Sequence, residues 1–297
     1  MPTRLGPNQY GKAESRLVRI TRDGGTHHIK DLCVSVALSG AMEEVHRSGS
    51  NAGLLPTDTM KNTVYAFAQE HGVPSAEDFV ALLARHFVTS QEAVHRARVR
   101  VEEYAWDRIA APGAGAHSFV RRGQETRTAQ VTHGEGGVEV LSGLRGLTVL
   151  NSTGSEFHGF VRDRYTTLEE TRDRVLATSV TAVWRHSGTG GAPDWDRSYA
   201  GIRERLLQAF AGTHSYSLQQ TLYAMGERAV EGGGIEEIRL SLPNRHHFLV
   251  DLEPFGLENG TGEGAVYLAA DRPYGLIEAT VLRDGAEARI PADLTSP

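Results

Sequence analysis

The sequence predicts an α+β fold built from two similar halves, and three features carry that expectation. Long stretches alternate apolar and polar residues with the period of β-strands, and they come in pairs that read as antiparallel hairpins. Segments with the helical period lie between these pairs. An eight-residue skeleton also recurs without a gap: Thr59-Met60-Lys61-Asn62-Thr63-Val64-Tyr65-Ala66 matches Ser217-Leu218-Gln219-Gln220-Thr221-Leu222-Tyr223-Ala224. Each copy reads hydroxyl, large apolar, two polar residues, Thr, branched aliphatic, Tyr, Ala. Each lies after a hairpin and a helix and before a second hairpin, so the matched context points to two copies of one sheet-plus-helix unit.

The elements follow in order. SRLVRITRDGGTHHIKDLCVSVAL reads as two strands joined at a Gly-Gly turn. AMEEVHRSG reads as a short helix closed by Gly49. Met60 to His71 and SAEDFVALLARHFV are helical, and Ser75 caps the latter with Asp78 three residues on. AVHRARVRVEEYAWDRI and HSFVRRGQETRTAQVTHG alternate as one long hairpin. In the second half VEVLSGLRGLTVLNSTG and VLATSVTAVWRHSG are strand-like, and Gly188 to Asp196 reads as a loop. DRSYAGIRERLLQAFAG and SLQQTLYAMGERAVEGG are amphipathic helices, the second ending at glycines. IEEIRLSLPNRHHFLVDL and GAVYLAADRPYGLIEATVL close the chain as another long pair of strands. The expected boundary leaves residues 1–135 in the first unit and 136–297 in the second. Exposed sheet edges need covering, and subunit pairing is a common way to do it.

Composition narrows the function classes. With 39% hydrophobic and 23% charged residues, a chain of 297 can bury a substantial core. The net charge of -6 is spread along the sequence, which argues against nucleic-acid and membrane-surface partners. A lone cysteine, Cys33, excludes an intrachain disulfide and a Cys-rich zinc site, and its apolar run reads as core. The N-terminal stretch has no apolar leader, no run is long enough to span a membrane, and the C-terminus lacks the peroxisomal Ser-Lys-Leu address. These features point to a cytoplasmic protein. Phosphate-binding, zinc-protease and serine-elbow motifs are absent. The His27-His28 and His246-His247 pairs are poor metal sites, because neighbours on a strand face opposite ways.

Five short segments stand out. YGKAE places Lys12 just before the first strand, where a solvated lysine is the simplest reading. LLPTDTMKNTVY sets Thr57 beside Asp58 where a helix begins, and a helix cap explains the hydroxyl as well as substrate handling does. SEFHGFVRDRYTTLEETRDR holds Phe157 and Arg174, which taken alone are a core aromatic and a surface arginine. YSLQQTLY holds Gln219 in a first helical turn. SLPNRHHF holds Asn244 and His246, two apart on a strand and so on one face.

Taken together and in this order, YGK, TDTMKNTVY, FVRDRYTTLEETRDR, SLQQTLY and SLPNRHHF resemble the urate oxidase (uricase) family. The resemblance runs from Tyr10 to about Ile277, and the excess of Arg, Ala and Gly over Lys fits a bacterial type. It implies two tandem T-fold units, each an antiparallel four-stranded sheet with helices on one face. It also implies a homotetramer around a tunnel, with active sites shared between subunits. The implied reaction is oxidation of urate by molecular oxygen and water to 5-hydroxyisourate and hydrogen peroxide, with no metal or organic cofactor. By the same resemblance Arg174 and Gln219 clamp the substrate ring, Phe157 stacks on it, and the backbone N–H groups of Asp58 and Leu218 contact it. Asn244 and Thr57 hold oxygen or water, and Lys12, Thr57 and His246 form a proton relay. His158 and His247 flank motif residues with no role assigned. Two alternatives stay open at this point: another T-fold enzyme acting on a pterin or purine, and a purine-binding protein without chemistry.

Overall fold

The computed structural model describes residues 3–110, 115–188, 193–260 and 264–295. Contacts divide the chain into two compact units, Met1–Gly143 with Gly191–Asp196, and Leu144–Gly190 with Arg197–Pro297.

In the first unit β1 (Tyr10–Asp23) and β2 (Thr26–Gly40) pair antiparallel from Tyr10↔Leu38 to Asp23↔Thr26. Gly24 makes the turn at φ +55°, in the left-handed region open to glycine. Alternation on β2 sends Leu32, Val34, Val36 and Leu38 into the core. Cys33 falls on the other face and is only partly buried, which corrects its expected core position. The short α1 (Glu43–Arg47) leads to α2 (Thr57–Glu70) and α3 (Ala76–Ser90). Met60 and Val64 of α2, with Phe79, Leu83 and Phe87 of α3, pack against the inner faces of β2 and of β3 (Val94–Tyr104). Ser75 Oγ accepts the N–H of Asp78 at 3.0 Å, the expected cap.

The long hairpin expected from residue 93 to 134 is interrupted at Ala105. Beyond it β4 (Trp106–Arg108) and β5 (Phe119–Arg121) form a separate two-stranded ribbon. The main ladder continues between β3 and β6 (Thr126–Gly134), and then β7 (Gly137–Asn151) follows, giving the order β1-β2-β3-β6-β7.

The second unit takes the end of β7 and adds β8 (Leu176–His186), α4 (Trp195–Gly212), α5 (Leu218–Glu231) and β9 (Ile235–Pro243). Of the expected loop from Gly188 to Asp196, residues 189–192 lie outside the described residues, and α4 already begins at Trp195. The last long pair of strands is also broken. β10 (His246–Leu249) and β11 (Tyr267–Ala270) form a two-stranded ribbon, while β12 (Leu276–Leu282) returns to pair with β9. The sheet order is β7-β8-β9-β12. Ile202, Leu206 and Phe210 of α4 and Leu218, Leu222 and Met225 of α5 fill the core over this sheet.

The internal repeat is structural. Met60 and Leu218 are buried, as are Val64 and Leu222, whereas Tyr65 and Tyr223 are exposed at 41% and 56%. The same skeleton thus turns the same side inward in α2 and α5.

Candidate active site

The site residues predicted from sequence fall into two groups, one in each unit. In the second unit a short backbone ladder assembles its group. Residues 154–157 run between two other segments and bond to them alternately. On one side, Ser215 N–H donates to Gly154 O at 2.9 Å and Glu156 N–H to Ser215 O at 2.7 Å. On the other, Arg174 N–H donates to Ser155 O at 2.9 Å, and Phe157 and Thr171 exchange both bonds at 2.9 and 3.0 Å. An extended strand presents its amides in this alternating way, so one four-residue segment joins Arg174, Phe157 and the lead into α5.

Ser215 continues the connection. Its hydroxyl accepts from Thr221 Oγ1 at 2.8 Å in a fully buried contact and donates to Ser217 O at 3.0 Å. Ser217 is the N-cap of α5 and takes the N–H of Gln220 through its own Oγ. That leaves the first-turn N–H groups of Leu218 and Gln219 open, at the end of the helix where an anion is favoured. Leu218 is buried by its side chain and Gln219 is exposed.

Arg174 is the electrostatic centre of this group. Its guanidinium carbon lies 5.1 Å from the centre of the Phe157 ring, and its Nε donates to Ser155 Oγ at 3.3 Å. Among the described residues no carboxylate pairs with it. Burial pulls its pKa below the ordinary arginine value. A partly buried cation without a counter-ion is costly, and the cost falls when an anion arrives. Phe157 also stacks against Phe160, with ring centres 5.0 Å apart, which fixes the plane it offers.

Asn244 and His246 are not two positions on one strand, contrary to the sequence reading. β9 ends at Pro243, Asn244 makes an isolated bridge with Thr178, and His246 opens β10. The backbone is nevertheless fixed there: Asn244 N–H donates to Gly275 O, and Arg245 N–H to Ala177 O, both at 2.8 Å. Proline has no N–H to continue a ladder, so the strand gives way beside it. The Asn244 amide makes no side-chain hydrogen bond among the described residues. His246 stacks on Phe248, its ring centre 5.7 Å away. Burial holds its pKa below the usual histidine value, helped by the charges of Arg174 and His247, so its imidazole is neutral at neutral pH.

In the first unit Lys12 sits where β1 is irregular. The pairing runs from Lys12↔Val36 to Ser15↔Val34, so one extra residue is inserted. Within this bulge Glu14 has φ 56°, and its N–H donates to Ser35 Oγ at 3.0 Å. Gly11 lets the strands approach, because a Cβ there would lie 1.8 Å from Val36 O. Thr57 is the first residue of α2, not its cap. Pro56 holds the cap position with an extended backbone, so the Thr57 hydroxyl is not used to close the helix. Asp58 binds Lys61 and Asn62 on its own helix, and the hydrogen bond from Lys61 first, then the Lys61 charge, the Asn62 hydrogen bond and the more distant charge of Lys12, lower its pKa. Its side chain is thus committed locally while its N–H faces outward from the first turn.

Sequence reasoning missed Ser155, Glu156 and His214. The Glu156 carboxylate meets His214 Nε2 at 2.7 Å and His158 Nε2 at 3.1 Å. The only sequence signal was His158 beside Phe157, a histidine flanking a motif residue with no role assigned. Among the described residues no group of three or more His, Cys, Asp or Glu is placed to hold a metal ion, and no helix is long and apolar enough to cross a membrane.

Known proteins resemble this chain over nearly its whole length. The family model described as Uricase matches residues 8–132 and 140–278. The uricase of Arthrobacter globiformis is 50% identical over 288 residues, which cover 97% of this chain and 92% of that protein. The uricase of Aspergillus flavus is 36% identical over 295 residues, covering 95% and 98%. The crystal structure of the Arthrobacter globiformis uricase superposes with a TM-score of 0.92 at 49% identity, covering 99% of this chain and 100% of that one. A urate oxidase structure from Bacillus sp. TB-90, at 22% identity and TM-score 0.79, shares the fold over 93% of this chain and 100% of its own.

Proposed function

The chain belongs to the uricase family, a bacterial-type member built from two tandem T-fold units, and on that premise we propose how its residues act. It is a urate oxidase, an oxidoreductase of purine breakdown. In the proposed reaction, urate, molecular oxygen and water give 5-hydroxyisourate and hydrogen peroxide. The observation that carries the reading is Arg174, a partly buried guanidinium beside the Phe157 ring with no carboxylate partner among the described residues.

Urate is a flat anion rich in carbonyl and N–H groups. The planar fork of Arg174 fits a carbonyl and an adjacent ring nitrogen together, which a point charge cannot do. Gln219 offers a donor and an acceptor to the opposite edge, and the open N–H groups of Leu218 and Asp58 complete the rim. Phe157 covers one face of the ring. Asn244, whose side-chain amide has no hydrogen-bond partner among the described residues, takes oxygen or water above the other face.

The electrons come from urate itself, whose conjugated anion is readily oxidised, so the proposed chemistry needs no metal or organic cofactor. Two electrons and two protons pass to oxygen to make the peroxide, and water adds to the oxidised ring with loss of a proton. The protein's share is to hold the reactants face to face and to move those protons. His246, kept neutral, accepts one, and Thr57 and Lys12 carry it on. Such a relay contributes on the order of 10²–10⁴ in rate.

Lys12, Thr57 and Asp58 lie in one unit and the other residues in the second. We read each active site as shared between subunits of a homotetramer around a tunnel, in the cytoplasm, with no nucleic-acid or membrane partner. Substituting Lys12 by Met tests the chemistry. Turnover of urate is lost and xanthine, a close urate analogue, still binds. A protein that only binds purines would lose nothing measurable.

A further inference from the structure

We propose that Glu156 is a positioning residue. Its carboxylate, hydrogen-bonded to His214, locks the segment that presents Phe157 to the segment that opens α5. In doing so it sets the distance between the stacking ring and the open N–H groups of Leu218 and Gln219. The inference rests on the reading above, in which those two elements hold opposite parts of the same substrate.

Glu156 immediately precedes Phe157, and His214 stands three residues before the cap of α5. Among the described residues the backbone of these segments is joined only through Ser215, by the bonds from Ser215 N–H to Gly154 O and from Glu156 N–H to Ser215 O. A two-bond bridge about one residue resists separation but leaves the segments free to hinge around it. The carboxylate adds a second point of attachment on the side-chain side. One oxygen is hydrogen-bonded to His214 Nε2 at 2.7 Å, while the other lies 3.1 Å from His158 Nε2 on its own segment. Arg172 closes the cluster, with Nη1 3.0 Å from His158 Nε2 and 3.5 Å from the carboxylate.

The arrangement is more than a surface ion pair. The Glu156 side chain is 14% exposed, beneath partners exposed at 28%, 51% and 76%. The hydrogen bond from His214 is the main reason its acid is stronger than an ordinary glutamate's. His214 in turn packs its ring edge on Tyr216, whose N–H is held by Gln220 Oε1 at 2.8 Å. The clamp therefore reaches into the first turn of α5 by two routes, through Ser215 and through Tyr216. Two attachments that do not lie on one line fix an angle as well as a distance, and a ring displaced by a fraction of an ångström no longer lies parallel to its ligand.

The test uses Glu156→Ala, His214→Phe and His214→Gln in the full-length protein. Urate KM and kcat, xanthine affinity and Tm are measured for each. His214 is half exposed, so its variants fold without a cavity, and His214→Phe keeps a ring for Tyr216. Gln retains an N–H donor for the carboxylate and Phe does not. The inference predicts that Glu156→Ala and His214→Phe each raise KM and weaken xanthine by about tenfold, with kcat at saturation within about twofold, because the loss falls on binding geometry. His214→Gln stays near wild type. An unchanged KM and xanthine affinity in His214→Phe overturns the inference, whatever happens to Tm. So does equal loss in His214→Gln and His214→Phe. A wild-type protein that neither oxidises urate nor binds xanthine overturns the underlying reading instead, and this inference falls with it.

Discussion

The guanidinium carbon of Arg174 lies 5.1 Å from the centre of the Phe157 ring, and the same four-residue segment holds both by their backbones. A cation and a flat apolar face thus stand side by side. That preorganisation is what a planar anion needs, and it locates the most sensitive substitution.

Arg174→Lys keeps a positive charge and loses the planar fork. Urate KM rises at least about tenfold, since an ammonium cannot serve two coplanar acceptors with the same geometry. Steady-state kinetics at saturating oxygen check this. A variant with wild-type KM would show that charge alone suffices.

Asn244 has its backbone fixed and its side-chain amide without a hydrogen bond among the described residues, so Asn244→Ala leaves the fold intact and removes the polar contact proposed above the ring. The effect falls on oxygen and water more than on urate. The expected result is a loss of kcat of roughly 10²-fold with xanthine affinity little changed.

His246 sets a pH dependence whose sign follows from its environment. Its pKa is depressed by burial first and by Arg174 second, so the folded chain releases this proton at a lower pH than the unfolded chain. Between that depressed value and about 6.5, the unfolded state binds more protons, and stability rises with pH through the window. The neutral imidazole that the proposed relay uses is present above the same depressed value. Replacing Arg174 by Gln removes part of the depression, and the His246 imidazole, followed by NMR, then titrates at a higher pH.

Gly11 sits one residue before Lys12, where a Cβ would lie 1.8 Å from the carbonyl oxygen of Val36. The obstacle is backbone and cannot swing aside. Gly11→Ala therefore pushes the two strands apart, lowering stability by about 2–4 kcal/mol. It displaces Lys12 as well, so activity falls in the surviving folded fraction. Chemical denaturation and active-site titration with xanthine separate the two effects.

The proposed sharing of sites between subunits predicts complementation. Lys12→Met and Arg174→Gln are each inactive, but co-expressed chains mix. With random pairing half the interfaces are hybrid, and each hybrid has one intact site of two, so about a quarter of wild-type activity returns. Sites contained within one chain would recover nothing.

Much of this was legible in the sequence because burial enforces period. The Met60/Leu218 and Val64/Leu222 pairs point inward in both helices, and the repeat could be aligned from that pattern alone. The breaks at Ala105 and after Pro243 were not legible, because alternation continues on both sides of each while the pairing partner changes. Thr57 looked like a cap because hydroxyl residues favour that position, but Pro56 already holds it. Glu156 and His214 stand 58 residues apart, and nothing local in either segment announces the other. Contacts between side chains across such a gap are set by the fold, which a single sequence encodes only indirectly.

The most direct measurement follows urate's ultraviolet absorbance together with oxygen uptake and peroxide release, on purified protein treated with a chelator. The account predicts that urate and oxygen disappear in equal amounts while one peroxide forms for each. Loss of activity on chelation, or urate consumed without matching oxygen and peroxide, would contradict it.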